Sequence, residues 1–257
     1  MTGIPLDDRG LLLGDGLFET LLARDGELVL FEAHMARMAG GCSVIGLPSP
    51  DVEEARSLCE AAIATAGLAR VRAAVRLTLT AGSGGRGLDR PESPAPRLLA
   101  AAAPAPAPGG SVALRTATVR RNSASPASRL KSLAYLDNVL ARRESAPDEA
   151  LMLNERGEVA CAAAANIFWL AEGRLFTPAL SCGVLAGVMR AQVLAGAPAL
   201  GLAVDEVAAS PDALTRASGI FLTNSVIGLR TVSRLDGRQV EAAPELSGLA
   251  ALLAPVS

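Results

Sequence analysis

Of the 24 basic residues in the chain, only Lys131 is a lysine; every other one is an arginine. The two exchange freely at solvated positions, but a guanidinium keeps its proton and cannot attack a carbonyl as a neutral amine can. A solitary lysine is therefore a candidate for covalent work on an aldehyde or ketone. The competing reading is compositional drift that left one survivor. His34, the only histidine, stands one turn before Arg37 in His34-x-x-Arg37, on the same helix face; a packing or orienting role suits it better than catalysis. Gly187-Val188-Met189-Arg190 opens a helix, and free N–H groups at such an end attract phosphate. The four cysteines, Cys42, Cys59, Cys161 and Cys182, match no metal-binding spacing. Cys42 and Cys59 read as small buried packing residues.

These residues need a scaffold. The 257 residues suffice for one large domain or two modest ones. Half of them are apolar but only 3% aromatic. The longest charge-free run, 98–114, is broken by proline, and a spanning helix needs about 20 apolar residues, so no membrane helix is expected. The start, MTGIPLDDRG, lacks the basic and apolar segments of a secretory signal, and a cytoplasmic setting is the default expectation. A net charge of −2 with both signs dispersed gives no nucleic-acid signature.

Pro104–Gly110 reads P-A-P-A-P-G-G, a stiff linker. It predicts a small domain over 1–103, a linker over 104–110 and a larger domain over 111–257 carrying Lys131. In the first, strands are expected at 17–23 and 27–31 around an Asp25-Gly26 hairpin. Helices are expected at 32–45 and 51–66, with Asp51 as N-cap, and strands at 71–81 and 97–103. In the second, strands are expected at 112–119, 149–154, 166–170, 174–176, 219–223 and 229–234, with helices at 133–144 and 188–194. Mixed strands and helices in both halves argue an α+β or α/β fold.

Seven segments in order, DRGLLLGDGLFETL, FEAHMARM, GSGGRG, LKSLAYLDNVLAR, NERGEVACAAAANIFWL, CGVLAGVMR and FLTNSVIGLR, resemble the class IV pyridoxal-phosphate enzymes. These include branched-chain and D-amino-acid aminotransferases and aminodeoxychorismate lyases. The resemblance runs from about Asp8 to Arg238. It implies a fold type IV enzyme of two domains with pyridoxal 5'-phosphate in the cleft between them, and a homodimer. Lys131 stands at the position of the Schiff-base lysine. Arg37 matches the phosphate arginine, and the N–H groups of Val188 and Met189 the helix-end phosphate contact. Ser225 with the N–H of Val226 matches a second phosphate contact, and Asn166 lies in the cofactor-proximal A-N-[LI]-F segment. Two departures stand out. Cys161 occupies the position of the glutamate that pairs with the pyridine nitrogen, and Met189 replaces a threonine common in aminotransferases. Glu158, at an odd strand offset from Cys161, is not expected to substitute for that glutamate.

Within the family the resemblance favours aminodeoxychorismate lyase. Ser83–Gly87 resembles the lyase pattern, with Arg86 placed to hold a substrate carboxylate. Asn224 matches a lyase substrate contact, and Thr20 offers a hydroxyl near the leaving group or a plain strand residue. An aminotransferase, and a silent relative given Cys161 and Ala134, remain the alternatives. A thiol enzyme has little behind it, since no histidine accompanies Cys161 or Cys182.

Overall fold

The computed structural model describes residues 3–241 and 243–253. The chain divides into two compact units, one running to Pro106 and including Leu130–Tyr135, the other taking Ala107–Arg129 and the chain from Leu136 onward.

The first unit is a four-stranded antiparallel sheet in the order β2-β1-β3-β4, built from β1 (Gly16–Arg24), β2 (Glu27–Leu28), β3 (Ala73–Thr80) and β4 (Arg97–Pro104). With it go α1 (Arg9–Leu13), α2 (Phe31–Ile45) and α3 (Val52–Thr65). The β1–β2 turn places Asp25 and Gly26 at φ 47° and 84°, the left-handed pair that an Asp-Gly hairpin requires. Strand β2 is shorter than the expected 27–31 because Leu30 turns left-handed and starts α2 at Phe31. Asp51 caps α3 by accepting the Glu54 N–H at 2.8 Å. Alternation along β1 puts Leu17 and Leu21 in a core with Met35, Met38 and Cys42 of α2, Cys59 and Ile63 of α3, and Leu77 and Leu79 of β3.

Two expectations about Lys131 are corrected. The lysine belongs to the first unit, not to the larger one, and the helix expected at 133–144 starts only at Leu136. The cause is backbone pairing. Phe18 N–H donates to Lys131 O at 2.9 Å, Leu133 N–H donates to Gly16 O at 3.0 Å, and Leu17 and Ser132 form an antiparallel bridge. This segment docks on the end of β1 as extended chain, so its amides cannot serve a helix.

The second unit is a nine-stranded mixed sheet, order β10-β9-β8-β11-β12-β5-β6-β7, with β13 beside β12. In chain order its elements are β5 (Ser111–Arg121), α4 (Leu136–Ser145), β6 (Glu149–Asn154), β7 (Val159–Ala162), β8 (Asn166–Ala171), β9 (Arg174–Pro178), α5 (Val188–Gly196), β10 (Val204–Val207), α6 (Asp212–Thr215), β11 (Gly219–Asn224), β12 (Gly228–Leu235), β13 (Arg238–Gln239) and α7 (Glu245–Leu253). β9/β10, β5/β12 and β5/β6 run parallel. One face of the sheet buries Leu151, Ile167, Trp169, Ile220, Leu222 and Val232. Alternation sends Phe168 and Phe221 to the opposite face, where their rings stack at 5.0 Å and α5 packs against β11.

Candidate functional site

In the first unit the lysine sits among aromatics and charges. Lys131 Nζ lies 4.2 Å from the Phe18 ring centroid and 5.5 Å from that of Tyr135, and the two rings meet edge to face at 5.2 Å. Burial first, then repulsion from Arg37 and Arg76, brings the Lys131 amine down to about 8, against a smaller opposing pull from Glu19. An amine in that state is substantially neutral just above physiological pH and able to attack an aldehyde.

Arg37 is held from below. Its Nε donates to Glu19 Oε1 at 2.8 Å and its Nη2 pairs with Glu19 Oε2. His34 Nδ1 meets the same Oε2 at 2.7 Å. Burial opposes ionisation of Glu19, which is 1% exposed, but the hydrogen bonds from Arg37 and His34 prevail and hold its carboxyl below the usual range. Glu19 is thus a carboxylate whose task is to aim a guanidinium. His34 has the orienting role expected of it, and its Nε2 is buried without a partner.

Thr20 lies on the face of β1 opposite Glu19. Directly across the ladder from it is Arg76, whose guanidinium lies over the Phe18 ring at 3.7 Å. Phe18 therefore carries both the lysine and this arginine. Arg86 is exposed in the glycine-rich loop after β3, bridged to Asp89. Two arginines fix that loop. Arg9 donates to the carbonyls of Leu88 at 2.8 Å and Asp89 at 2.9 Å, and its Nε to Asp15 at 2.9 Å. Arg90 also grips Asp15 and donates to the Ile45 carbonyl at 2.7 Å.

In the second unit α5 begins at Val188, behind an N-cap, Gly187, that offers no side-chain cap. The N–H groups of its first turn, including those of Val188 and Met189, have no partner within the helix. A Cβ on Gly187 would lie 2.0 Å from Asn166 Oδ1, so only glycine permits this approach. Asn166 is buried and donates its amide to the Leu185 carbonyl at 3.0 Å. Beyond β11, Asn224 Oδ1 accepts the N–H groups of Val226 at 3.1 Å and Ile227 at 2.9 Å, while its Nδ2 donates to Ala164 O at 3.2 Å. The Asn224 side chain, expected at the substrate, and the Val226 N–H, expected at the phosphate, are joined in the turn that carries Ser225.

Cys161, on β7, is buried and packs with Ala117, Ala141 and Val184. Burial raises its thiol above the ordinary range, so it is neutral. Glu158 is engaged away from Cys161: it accepts from Asn154 Nδ2 at 2.7 Å and from Arg156 at 2.7 Å. Among the described residues no cluster of His, Cys, Asp and Glu could hold a metal.

The sequence reading missed Glu19, Arg76 and Thr223. A carboxylate in the apolar alternation of β1 was a usable signal for Glu19, since a charge on the core face needs a partner. Arg76 and Thr223 carry no such mark. The first unit brings together an amine of lowered pKa and an aimed guanidinium, which suit an aldehyde and an anion; the second offers an uncapped helix end, which suits a phosphate.

A family model described as amino-transferase class IV matches residues 16–235. An aminodeoxychorismate lyase from Bacillus subtilis is 33% identical over 125 residues; the match spans 48% of this chain and 43% of that protein. A putative branched-chain-amino-acid aminotransferase from Methanocaldococcus jannaschii is 31% identical over 242 residues, 91% of this chain and 83% of that one. Among solved structures, the 4-amino-4-deoxychorismate lyase of Pseudomonas aeruginosa superposes with a TM-score of 0.88 at 32% identity, covering 98% of this chain and 95% of that chain.

Proposed function

The chain belongs to the class IV aminotransferase family, has its fold type IV architecture and uses pyridoxal 5'-phosphate, and within that family we propose that it is an aminodeoxychorismate lyase. It would convert 4-amino-4-deoxychorismate to 4-aminobenzoate, a folate precursor, and pyruvate.

When bound, the cofactor supplies an aldehyde that joins the substrate amine and a ring that withdraws electrons from the adjoining carbon. Lys131 would hold that aldehyde through its Nζ. Lys131 Nζ, free when the substrate amine has taken its place, would accept the proton from the amine-bearing carbon. The carbon–oxygen bond to the enolpyruvyl group then breaks, the ring becomes aromatic, and the departing oxygen takes the electron pair and, as the enol ketonises, leaves pyruvate. Arg37, aimed by Glu19, would hold the cofactor phosphate; the N–H groups of Val188 and Met189 and the Ser225 hydroxyl are the donors proposed for it in the second unit. Asn166 shapes the wall beside α5. The substrate carries two carboxylates, and two arginines suit them: Arg86 in the clamped loop and Arg76 on Phe18. Thr20, across the ladder from Arg76, offers a hydroxyl near the leaving oxygen.

The observation that carries the lyase over a transaminase is the neutral Cys161 thiol. With a thiol in place of the carboxylate that the family resemblance assigns to the ring nitrogen, the electron sink would be weaker. An elimination that creates an aromatic ring tolerates this better than a transamination, which needs a longer-lived carbanion. The rival reading, a branched-chain or D-amino-acid aminotransferase, is supported by the Methanocaldococcus relative. Purified holoenzyme offered both substrate types decides between them: 4-aminobenzoate and pyruvate in equal amounts are expected, and brisk conversion of amino acids to oxo acids without aminobenzoate would reject the lyase. A yellow protein that turns over neither would point to a silent relative.

A cytoplasmic setting is part of the proposal. No described helix is long and apolar enough to cross a membrane. A homodimer is part of the proposal. Leu11 and Leu12 of α1 are 57% and 64% exposed, with Leu6 and Leu88 more so; leucines this exposed suit coverage by a second copy.

A further inference from the structure

Thr223 is 2% exposed, and its Oγ1 is buried with no hydrogen-bond partner. A hydroxyl stripped of water and left unpaired is costly, so its retention asks for a ligand. Its surroundings say which. Thr223 pairs directly with Asn166 across the β11–β8 ladder, so the two side chains share a face. Ile220 and Leu222 point into the core on the other side; Phe221 and Thr223 therefore face α5, which packs against β11. Asn166 Oδ1 reaches to where a Gly187 Cβ would be. Thr223, Asn166 and Gly187 thus follow one another from the strand end to the uncapped start of α5. Met189, in the first turn of that helix, has no hydroxyl to offer.

We propose that the Thr223 hydroxyl is an additional ligand of the cofactor phosphate, donating from the strand a hydrogen bond that residue 189 cannot make from the helix. The proposal rests on the cofactor reading of the site but not on which reaction follows. A phosphate oxygen at the α5 end would receive backbone N–H groups along the helix axis and the Thr223 O–H from the side. Polar donors of both kinds, in a buried setting, strengthen an anion site.

The test is binding of pyridoxal 5'-phosphate and of pyridoxal, which lacks the phosphate, to the full-length apoprotein, titrated by absorbance. Thr223→Val should raise the Kd for the phosphorylated form by about tenfold to a hundredfold and leave the Kd for pyridoxal unchanged. Thr223→Ser should bind both like the wild type. Equal weakening of both ligands by Thr223→Val would overturn the proposal in favour of packing, and so would unchanged binding. Should the valine variant not fold, Thr223→Ala provides the same comparison. A wild type that fails to prefer the phosphorylated form would instead sink the cofactor reading itself, and a wild type that binds tightly but makes no aminobenzoate would sink only the lyase.

Discussion

Arg37 on α2 and Glu19 on β1 are locked together by two hydrogen bonds, with Nε on Oε1 at 2.8 Å and Nη2 on Oε2. Glu19 is the more deeply buried partner, and His34 takes its remaining capacity at 2.7 Å. A bidentate pair of this kind fixes the plane of the guanidinium as well as its position. The guanidinium proposed to hold the cofactor phosphate is thus fixed before any ligand arrives.

Glu19→Gln should leave Arg37 in place but poorly aimed. The Kd for pyridoxal 5'-phosphate should rise about tenfold, and the fold should lose about 1.5–3 kcal/mol, the worth of a hydrogen bond to a charged group. The sign with pH is definite. The folded-state pKa of Glu19 is lowered, so its contribution is present above the ordinary carboxyl range and is lost as pH falls through the folded value. Acid unfolding followed by circular dichroism should show a shallower loss in the glutamine variant; identical acid limbs would contradict this.

Lys131 works in the opposite sense. Its amine is held near 8 against an ordinary 10.5, so the folded apoprotein pays for protonating it. The cost is full below pH 8 and disappears as pH rises from 8 to 10.5, because over that window the unfolded chain binds the proton and the folded one does not. Urea denaturation of the apoprotein should therefore show stability rising across this window relative to Lys131→Met, and the methionine variant should be the more stable at pH 7. Parallel pH profiles for the two proteins would refute the buried-amine picture.

Arg76 lies against Phe18 and repels the Lys131 charge. Arg76→Gln should raise the apparent pKa of Lys131, read as the pH dependence of amine labelling in the apoprotein. It should also raise KM for a dianionic substrate about tenfold or more, with a smaller effect on kcat. An unchanged labelling profile would show that the guanidinium does not tune the lysine.

Asp15 joins Arg9 to Arg90, and both arginines hold the loop that displays Arg86. Asp15→Asn should loosen that loop, speeding proteolytic cleavage between residues 82 and 90 and raising KM with little change in cofactor affinity. A variant that loses cofactor instead would place Asp15 elsewhere in the mechanism.

Much of this architecture was legible where local chemistry decides the outcome. The Asp25-Gly26 hairpin and the Asp51 cap are short-range events, written in two or three residues. Lys131 announced itself by being the only lysine. What escaped depended on partners far along the chain. The segment after Lys131 looks helical by composition, yet the backbone of β1 claims it, and no local pattern records that competition. Helix α1 is too short, and its leucines too exposed, to show a periodicity. β10, with only four residues, alternates too briefly to be seen. The hydrogen bonds from the Val226 and Ile227 N–H groups to Asn224 exist only once the turn is built. Thr223 is ordinary in sequence and becomes informative only through its burial.

The most direct test of the central claim is borohydride reduction of the pyridoxal-phosphate-loaded protein followed by peptide mass mapping. The account predicts the mass of the reduced cofactor on a single peptide, the one containing Lys131, with loss of the visible absorption band and no label in Lys131→Arg. Cofactor bound but not attached to Lys131, or a label that persists in the arginine variant, would contradict it.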